Sequence, residues 1–150
     1  MVRGKRVHLL DVNVLVALFD PGHIHHETAH DWFASVGSAA WATCPLTENG
    51  FVRVLSNPAY PGRRTTAADA AGKLGQLTGR PDHTFWEDGV SILDPTRFVV
   101  GALTGYREIT DAVLLALAVS RSGALATLDG GIRVAAVVGA EPRHVAVLGR

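Results

Sequence analysis

The first hydrophobic stretch of the chain, residues 7–19 (VHLLDVNVLVALF), changes its period at an acidic residue. Residues 7–10 have the length and apolar character of a buried strand, whereas the apolar residues after them recur at the three- and four-residue steps of a helix face. Asp11 lies at the junction, where open α/β sheets place their ligands. Because an isolated charge in apolar surroundings is unfavourable, we expect something positive to offset Asp11.

The same patterning predicts an alternation of helices and strands along the rest of the chain. Helical spacing predicts helices over 25–36, 48–55, 66–77 and from Asp111 to a last turn at Arg121, the last of them almost wholly apolar over 112–119. Short apolar runs predict strands over 39–44, 90–93, 124–128 and 145–148. We expect Thr47 and Thr110 to cap the helices that follow them. This alternation is typical of one α/β domain over residues 1–150 with a largely parallel sheet.

Composition narrows the class of protein only slightly. The chain has 150 residues, of which 47% are hydrophobic and 19% charged, which suits one globular domain. Its 14 basic and 14 acidic residues cancel, so any basic groove for nucleic acid would have to be local. A single cysteine excludes an intramolecular disulfide and suggests a reducing, cytoplasmic location. We interpret the amino end as mature sequence and find no stretch long and apolar enough for a membrane span.

Four acidic residues occupy positions that packing alone does not require. Asp11 and Asp129 each end an apolar strand, and Glu48 and Asp111 each follow a threonine at a predicted helix start. Strand ends and helix starts meet at the same rim of a parallel sheet, so the four carboxylates are expected to converge there. Carboxylates that close repel one another unless a cation lies among them. Oxygen ligands without His or Cys partners favour Mg²⁺ or Mn²⁺.

Simpler interpretations of single acids stay open. Glu48 and Asp111 also suit the positive end of a helix dipole, and Asp129 suits a turn before a glycine.

Two other classes of protein with an acid at a strand end fit the sequence less well. A phosphotransferase of the haloacid-dehalogenase type needs a second acid two residues after the first, and this chain has Asn13 there. A receiver domain needs a lysine at a strand end, and no lysine of this chain is predicted to end a strand.

Four motifs together resemble those of the PIN-domain family, most closely the VapC toxins of bacterial VapBC toxin–antitoxin pairs. In order, they are LLDVNVLVALF, TENGFVRVLSNP, ITDAVLLALA and ATLDGGI. The resemblance covers essentially the whole chain and implies a PIN-like three-layer α/β/α sandwich with a central, mostly parallel sheet. Carried over by position, Asp11, Glu48, Asp111 and Asp129 match the acidic quartet of the family. Ile132 replaces a more frequent aromatic residue, a difference that concerns packing.

The resemblance also implies an activity, a cofactor and partners. It implies a toxin that is a Mg²⁺-dependent endoribonuclease (Mn²⁺ being the substitute), in which an activated water hydrolyses an RNA phosphodiester bond. The four acids would hold one or two ions, with support from three polar residues: Asn13, Thr110 and Thr127. The partners would be RNA, a VapB-type antitoxin that covers the acidic site, and a second copy in a homodimer. The alternative is a non-catalytic PIN-like module that binds RNA or protein.

Two further groups give weaker signals. Three arginines are candidates for contacts with RNA phosphates, although an ordinary role as solvated surface residues explains them equally well: Arg53, Arg63 and Arg64.

Four histidines cluster on one segment: His23, His25, His26 and His30. The last two are one helical turn apart, as in zinc sites, but no cysteine or suitable third ligand accompanies them. We therefore interpret this segment as a turn and a helix surface.

Overall fold

The structure, a computed structural model, describes residues 6–87 and 89–150, so the extreme amino end interpreted above lies outside it. Over these ranges the α-helices are α1 (Val12–Phe19), α2 (His26–Ser35), α3 (Pro45–Ser56), α4 (Ala67–Thr78) and α5 (Ile109–Ser120). The strands are β1 (His8–Leu10), β2 (Trp41–Thr43), β3 (His83–Phe85), β4 (Ala124–Thr127) and β5 (Val145–Val147). None of the helices in the described part of the chain has the length and hydropathy needed to cross a bilayer.

The sheet is parallel throughout, with strand order β3-β2-β1-β4-β5. The chain moves from β1 through β2 to β3 on one side, and β4 then returns to the other side of β1. The order therefore reverses at β1, and its carboxyl end borders the crevice where such sheets bind ligands. The predicted parallel α/β sheet is confirmed.

Buried side chains form two cores, one on each face of the sheet. Leu10 of β1 packs with residues of α1, α2, α3 and α4, whereas the adjacent Leu9 packs with α5. Neighbouring strand residues point to opposite faces, so the two leucines anchor opposite layers. α5 is buried along most of its length, from Ala112 to Ala118. This arrangement confirms the three-layer α/β/α sandwich.

Both threonines expected to cap helices lie inside them, so those two predicted helix starts are wrong. α3 begins at Pro45, because proline at the first helical position loses no hydrogen bond there. Thr47 is consequently the third residue of α3, and its hydroxyl accepts a hydrogen bond from the Cys44 N–H at 2.9 Å. α5 begins at Ile109, because a 3₁₀ turn over Tyr106–Glu108 leads directly into it. Thr110 is the second residue of α5.

The strand predicted over 90–93 is also wrong. The third strand is β3, which pairs with β2 in a register that places His83 opposite Trp41. β3 is an edge strand with one polar and one aromatic exposed residue, so it lacks the apolar run that a buried strand shows. The apolar residues Val90 and Ile92 instead pack from a loop against the core beside α5.

The fold predicts opposite effects for two glycine substitutions. A Cβ added at Gly123 would lie 2.5 Å from the Val7 carbonyl oxygen and 2.7 Å from the Trp86 ring, and the backbone oxygen cannot rotate away. We therefore expect Gly123→Ala to lower the free energy of unfolding, measured by urea denaturation, by about 1–3 kcal/mol. Gly72→Ala, at an exposed position in α4 with no atom within 4 Å of the added Cβ, should raise it by about 0.5–1 kcal/mol. Equal effects of both substitutions would refute this explanation.

Candidate active site

Three aspartates lie at the carboxyl end of the sheet around the point where strand order reverses. Asp11 directly follows β1, and Asp129 follows the end of the neighbouring strand β4. Asp111 is in the first turn of α5, close enough for the charges of Asp11 and Asp129 to raise its pKa. The structure thus brings three of the four predicted acids into one electrostatically coupled group.

Asp11 is the most buried of these acids, with 7% of its surface exposed. It is the N-cap residue of α1, and its Oδ1 accepts a hydrogen bond from the Val12 N–H at 2.7 Å. Its Oδ2 accepts one from the Thr127 hydroxyl at 2.8 Å. Burial raises the pKa of Asp11, the charge of Asp129 adds to this rise, and the two hydrogen bonds oppose it. Both carboxylate oxygens are therefore held in fixed directions.

Among the three aspartates, Asp111 has the fewest contacts that offset the negative charge of its carboxylate. Burial, followed by the charges of Asp11, Asp129 and Glu108, raises its pKa to about 7. Within residues 6–87 and 89–150, its carboxylate has no hydrogen bond and no ion pair. A cation from outside these residues would therefore stabilise the ionised form of Asp111.

Thr127 and Asn13 connect the ends of β1 and β4. The Thr127 hydroxyl donates to Asp11 and accepts hydrogen bonds from the Asn13 side-chain amide at 3.3 Å and the Asp129 N–H at 3.1 Å. The Asn13 carbonyl oxygen accepts from the Leu128 N–H at 3.2 Å. Through these contacts Thr127 and Asn13 help to fix the orientation of Asp11 and the position of Asp129. Thr110, the third predicted supporting residue, is exposed on α5 and makes no hydrogen bond to the acids among the described residues.

The turn after β4 is tight and lies under an arginine. Asp129 Oδ1 accepts a hydrogen bond from the Gly131 N–H at 2.8 Å. A Cβ added at Gly130 would lie 2.4 Å from Nη1 of Arg150, so a side chain at this position would require the Arg150 guanidinium to move. The Arg150 guanidinium therefore packs on the turn, and it forms no ion pair with the aspartates in the described structure.

Glu48, the fourth predicted acid, lies apart from the coupled aspartates. Its Oε2 accepts a hydrogen bond from the Thr43 hydroxyl at 2.8 Å, and Thr43 Oγ1 is also 2.8 Å from Nε2 of His83. Glu48 is absent from the charges that raise the pKa of Asp111. It borders a cavity of about 310 Å³ between α3 and α4. Burial lowers the pKa of His83, and the charge of Glu48 opposes this shift.

Glu108 is a charged neighbour of the site that the sequence analysis missed. It accepts hydrogen bonds from the Thr104 hydroxyl and N–H and is paired with Arg133. These contacts lower the pKa of Glu108 to about 2, so it stays ionised and contributes to the raised pKa of Asp111. Glu108 could have been identified from the sequence by its position three residues before Asp111, because residues at this spacing share a helix face.

The candidate RNA-contact arginines lie away from the aspartates. Arg53 is exposed on α3, and Arg64 is exposed in the loop before α4. Arg63 borders a mainly apolar groove of about 1,110 Å³ formed by α1, α2, α3 and α4. None of the three is among the charges that shift the pKa of Asp11 or Asp111.

The histidine cluster has a structural role at the end of α1. Ring nitrogens of His26 and His30 lie 2.7 and 3.0 Å from the carbonyl oxygens of Ala17 and Leu18. These carbonyls are in the last turn of α1, where such oxygens lack helical partners. The contacts agree with the interpretation of this segment as a turn and a helix surface.

The aspartates fit a hard divalent cation by the chemistry of their donors. In the part of the chain that the structure describes, no group of three or more His, Cys, Asp or Glu side chains is arranged to hold a metal ion. Mg²⁺, however, is commonly held by one or two carboxylates and retains several waters. Asp11 and Asp111 provide only oxygen donors, and burial raises the pKa of both without a cation from the described chain. Their uncompensated charge is what a divalent ion would offset.

The chain is similar to known proteins over most of its length. The family described as PIN domain matches residues 8–138. Ribonuclease VapC44 of Mycobacterium tuberculosis is 44% identical over 93% of this chain and 98% of its own length. Ribonuclease VapC39 of the same organism is 41% identical over 87% of this chain and 94% of its own. The crystal structure of M. tuberculosis VapC20, a toxin that cleaves the sarcin–ricin loop, has a similar fold. Its TM-score is 0.58 at 16% identity, covering 91% of this chain and 99% of that one.

The raised pKa of Asp111 should make the free energy of unfolding depend on pH. Its pKa rises from an ordinary 3.8 to about 7 on folding, so between these values the folded chain binds more protons than the unfolded chain. The contribution of Asp111 should therefore lower the stability of the metal-free protein as pH rises from about 4 to 7. We expect Asp111→Asn to remove this contribution, giving a melting temperature above wild type at pH 8 in EDTA and a smaller difference at pH 4.

Asp31→Asn, a change at an exposed position of α2, is the matched control and should leave the pH dependence of melting unchanged. An Asp111→Asn variant with the wild-type pH dependence would contradict the assigned pKa.

Proposed function

Because the chain belongs to the PIN-domain family and, within it, to the VapC toxins, we propose that it is a metal-dependent endoribonuclease of a type II toxin–antitoxin system. One observation carries the proposed chemistry: three carboxylates are electrostatically coupled at the reversal point of a parallel sheet, and no cation of the described chain lowers the pKa of Asp11 or Asp111. The ribonuclease names of the relatives support RNA as the substrate.

We assign Mg²⁺ as the cofactor, with Mn²⁺ as a substitute, and Asp11 and Asp111 as its most direct ligands. Glu48 and Asp129 complete the proposed catalytic set by holding a second ion or orienting the attacking water. When bound, such an ion lowers the pKa of a coordinated water and stabilises charge on the leaving oxygen of the RNA phosphodiester.

The protein side chains supply orientation and a titratable proton. The Val12 N–H and the Thr127 hydroxyl fix the two oxygens of Asp11, and Asn13 holds Thr127 in place. In the metal-free protein Asp111 has a pKa of about 7, so its carboxylate carries a proton over part of the neutral range until a cation binds and lowers that pKa. We propose that Thr110 supports the site less directly than Asn13 and Thr127, since it lies on the exposed side of α5.

RNA must extend beyond the acidic crevice, and the three candidate arginines are proposed as distant contacts with its phosphates. Arg53 and Arg64 are exposed, and Arg63 borders the apolar groove, so none of them is predicted to contact the cleaved bond. Cations at such positions add affinity without reading sequence.

A toxin of this kind needs restraint, and we propose a VapB-type antitoxin as the partner. The apolar groove has side chains such as Leu18, Phe33 and Leu77 in its walls and Lys73 at its edge. Such a groove suits the apolar face of an amphipathic helix with acidic residues beside it. We also propose that residues 1–150 form one PIN domain, that the chain is a homodimer, and that it acts in the cytoplasm.

The alternative of a non-catalytic PIN-like module is not favoured. The curated relatives at 40–46% identity are named ribonucleases, and the chain has an acid at each of the four positions of the family quartet.

We expect Asp11→Asn to reduce RNA cleavage in Mg²⁺ at least about 100-fold, because the change removes a charged ligand. Asparagine is also a good N-cap residue, so the fold should be retained. The measurement is a time course of cleavage of end-labelled RNA, with circular dichroism to monitor folding. Asp31→Asn should cut at the wild-type rate. Wild-type cleavage by Asp11→Asn would refute the assignment.

Removal of divalent ions should stop cleavage by the wild-type protein, and added Mg²⁺ or Mn²⁺ should restore it. The measurement uses the same RNA in EDTA, followed by titration of each ion. Undiminished cleavage in EDTA would exclude the proposed cofactor.

The RNA target can be identified in cells. The cut ends of total RNA are mapped after brief expression of the wild-type protein and compared with those after expression of Asp11→Asn.

A further inference from the structure

A buried threonine joins Glu48 to a histidine outside the family's acidic motifs. Thr43 is the last residue of β2 and has no solvent exposure. Its Oγ1 lies 2.8 Å from Glu48 Oε2 and 2.8 Å from His83 Nε2. Glu48 and His83 are 35 positions apart in sequence, and the pairing of β2 with β3 brings them to the same hydroxyl.

The direction of the hydrogen bonds follows from the number of hydrogens available. Thr43 has one hydroxyl hydrogen, and an ionised Glu48 can only accept hydrogen bonds. The hydroxyl therefore donates to Glu48, and Thr43 Oγ1 accepts from His83 in the tautomer that carries its hydrogen on Nε2. In that tautomer both donors point towards Glu48, so its Oε2 is held in a fixed direction.

The His83 ring is itself held by its surroundings. It packs on the Trp41 ring with 4.6 Å between ring centroids, and Trp41 lies opposite His83 in the strand register. The Trp41 Nε1–H donates to Asp82 at 2.9 Å, and Asp82 pairs with Arg80 at 3.0 Å. The edge strand therefore fixes the position of the ring from which the hydrogen-bond chain begins.

One oxygen of Glu48 is left for another ligand. Oε2 is used by Thr43, whereas Oε1 has no hydrogen bond among the described residues. β2 lies directly beside β1, so Glu48 is at the same end of the sheet as Asp11, one strand away. An acid held by one oxygen and open at the other matches the way second partners orient metal-binding carboxylates.

We propose that His83 is a positioning residue that acts through Thr43 to orient Glu48 for divalent-cation binding. This inference rests on the proposed nuclease function, and it adds two residues, His83 and Thr43, to the machinery of that site. His83 itself contacts neither the cation nor the RNA.

Paired variants separate this role from simple packing. Thr43→Val keeps the shape and removes the hydroxyl, whereas Thr43→Ser keeps the hydroxyl and removes the methyl group. His83→Phe keeps a ring against Trp41 and removes Nε2, whereas His83→Gln retains a side-chain donor. His25→Phe, at an exposed histidine, is the control for loss of an imidazole. Melting temperatures identify any variant that fails to fold.

The first readout is Mn²⁺ binding to the metal-free full-length protein by isothermal titration calorimetry. We expect Thr43→Val and His83→Phe to weaken Mn²⁺ binding about 10- to 100-fold, the usual effect of losing an orienting partner. Thr43→Ser, His83→Gln and His25→Phe should stay close to wild type. The second readout is RNA cleavage, where the Mg²⁺ concentration for half-maximal rate should rise more than the KM for RNA.

A double mutant tests whether the effect passes through Glu48. In a Glu48→Gln background, Thr43→Val should cause no further loss of Mn²⁺ affinity, since residues that act through one another are not additive. The inference is overturned if Thr43→Val and His83→Phe bind Mn²⁺ like wild type. It is also overturned if Thr43→Ser is as impaired as Thr43→Val, or if the loss adds to that of Glu48→Gln.

Failure of the inference and failure of the proposed function give different results. If the function holds and the inference fails, Asp11→Asn loses cleavage while the Thr43 and His83 variants match wild type. If the function fails, Asp11→Asn cuts RNA like wild type, and the inference falls with it.

Discussion

Repulsion among carboxylates that share a half-buried crevice is the constraint on which the candidate site depends. Burial and neighbouring negative charge raise the pKa of both Asp11 and Asp111, and the described chain supplies no positive partner. Glu108 shows the contrast, because its ion pair with Arg133 and its hydrogen bonds to Thr104 lower its pKa. The chain thus neutralises a peripheral acid with its own arginine and leaves the central acids for an external cation.

Sheet topology explains how distant residues meet there. All strands run in the same direction, so residues that follow β1, β2 and β4 arrive at one end of the sheet. Reversal of strand order at β1 opens a crevice between the connections that leave in opposite directions. Hydrogen bonds from Thr127 and Asn13 then tie the β1 and β4 ends together across 114 positions of sequence. The rigid sheet holds the ends of β1 and β4 together, and Glu48 follows the neighbouring strand β2, outside the coupled group of aspartates.

Much of this arrangement could be predicted from the sequence, because strong periodic signals lie next to the acids. The apolar run before Asp11 and the uniformly apolar α5 after Asp111 identified their elements correctly. Capping was mispredicted at Thr47 and Thr110, since the local turn geometry at Pro45 and over Tyr106–Glu108 set the helix starts. β3 was missed because an exposed edge strand carries no buried pattern. The Thr43–His83 contact depends on that strand's register, so no sequence signal could reveal it.

Asp11 has two tasks that draw on the same carboxylate: it caps α1, and it faces the acidic crevice. Asparagine performs the first task nearly as well as aspartate, and it relieves the repulsion imposed by the second. Aspartate and asparagine codons differ by a single base. Under the proposed function, a population that suffers from an unrestrained copy of this gene thus has a short mutational escape route, one that spares the fold while removing the activity.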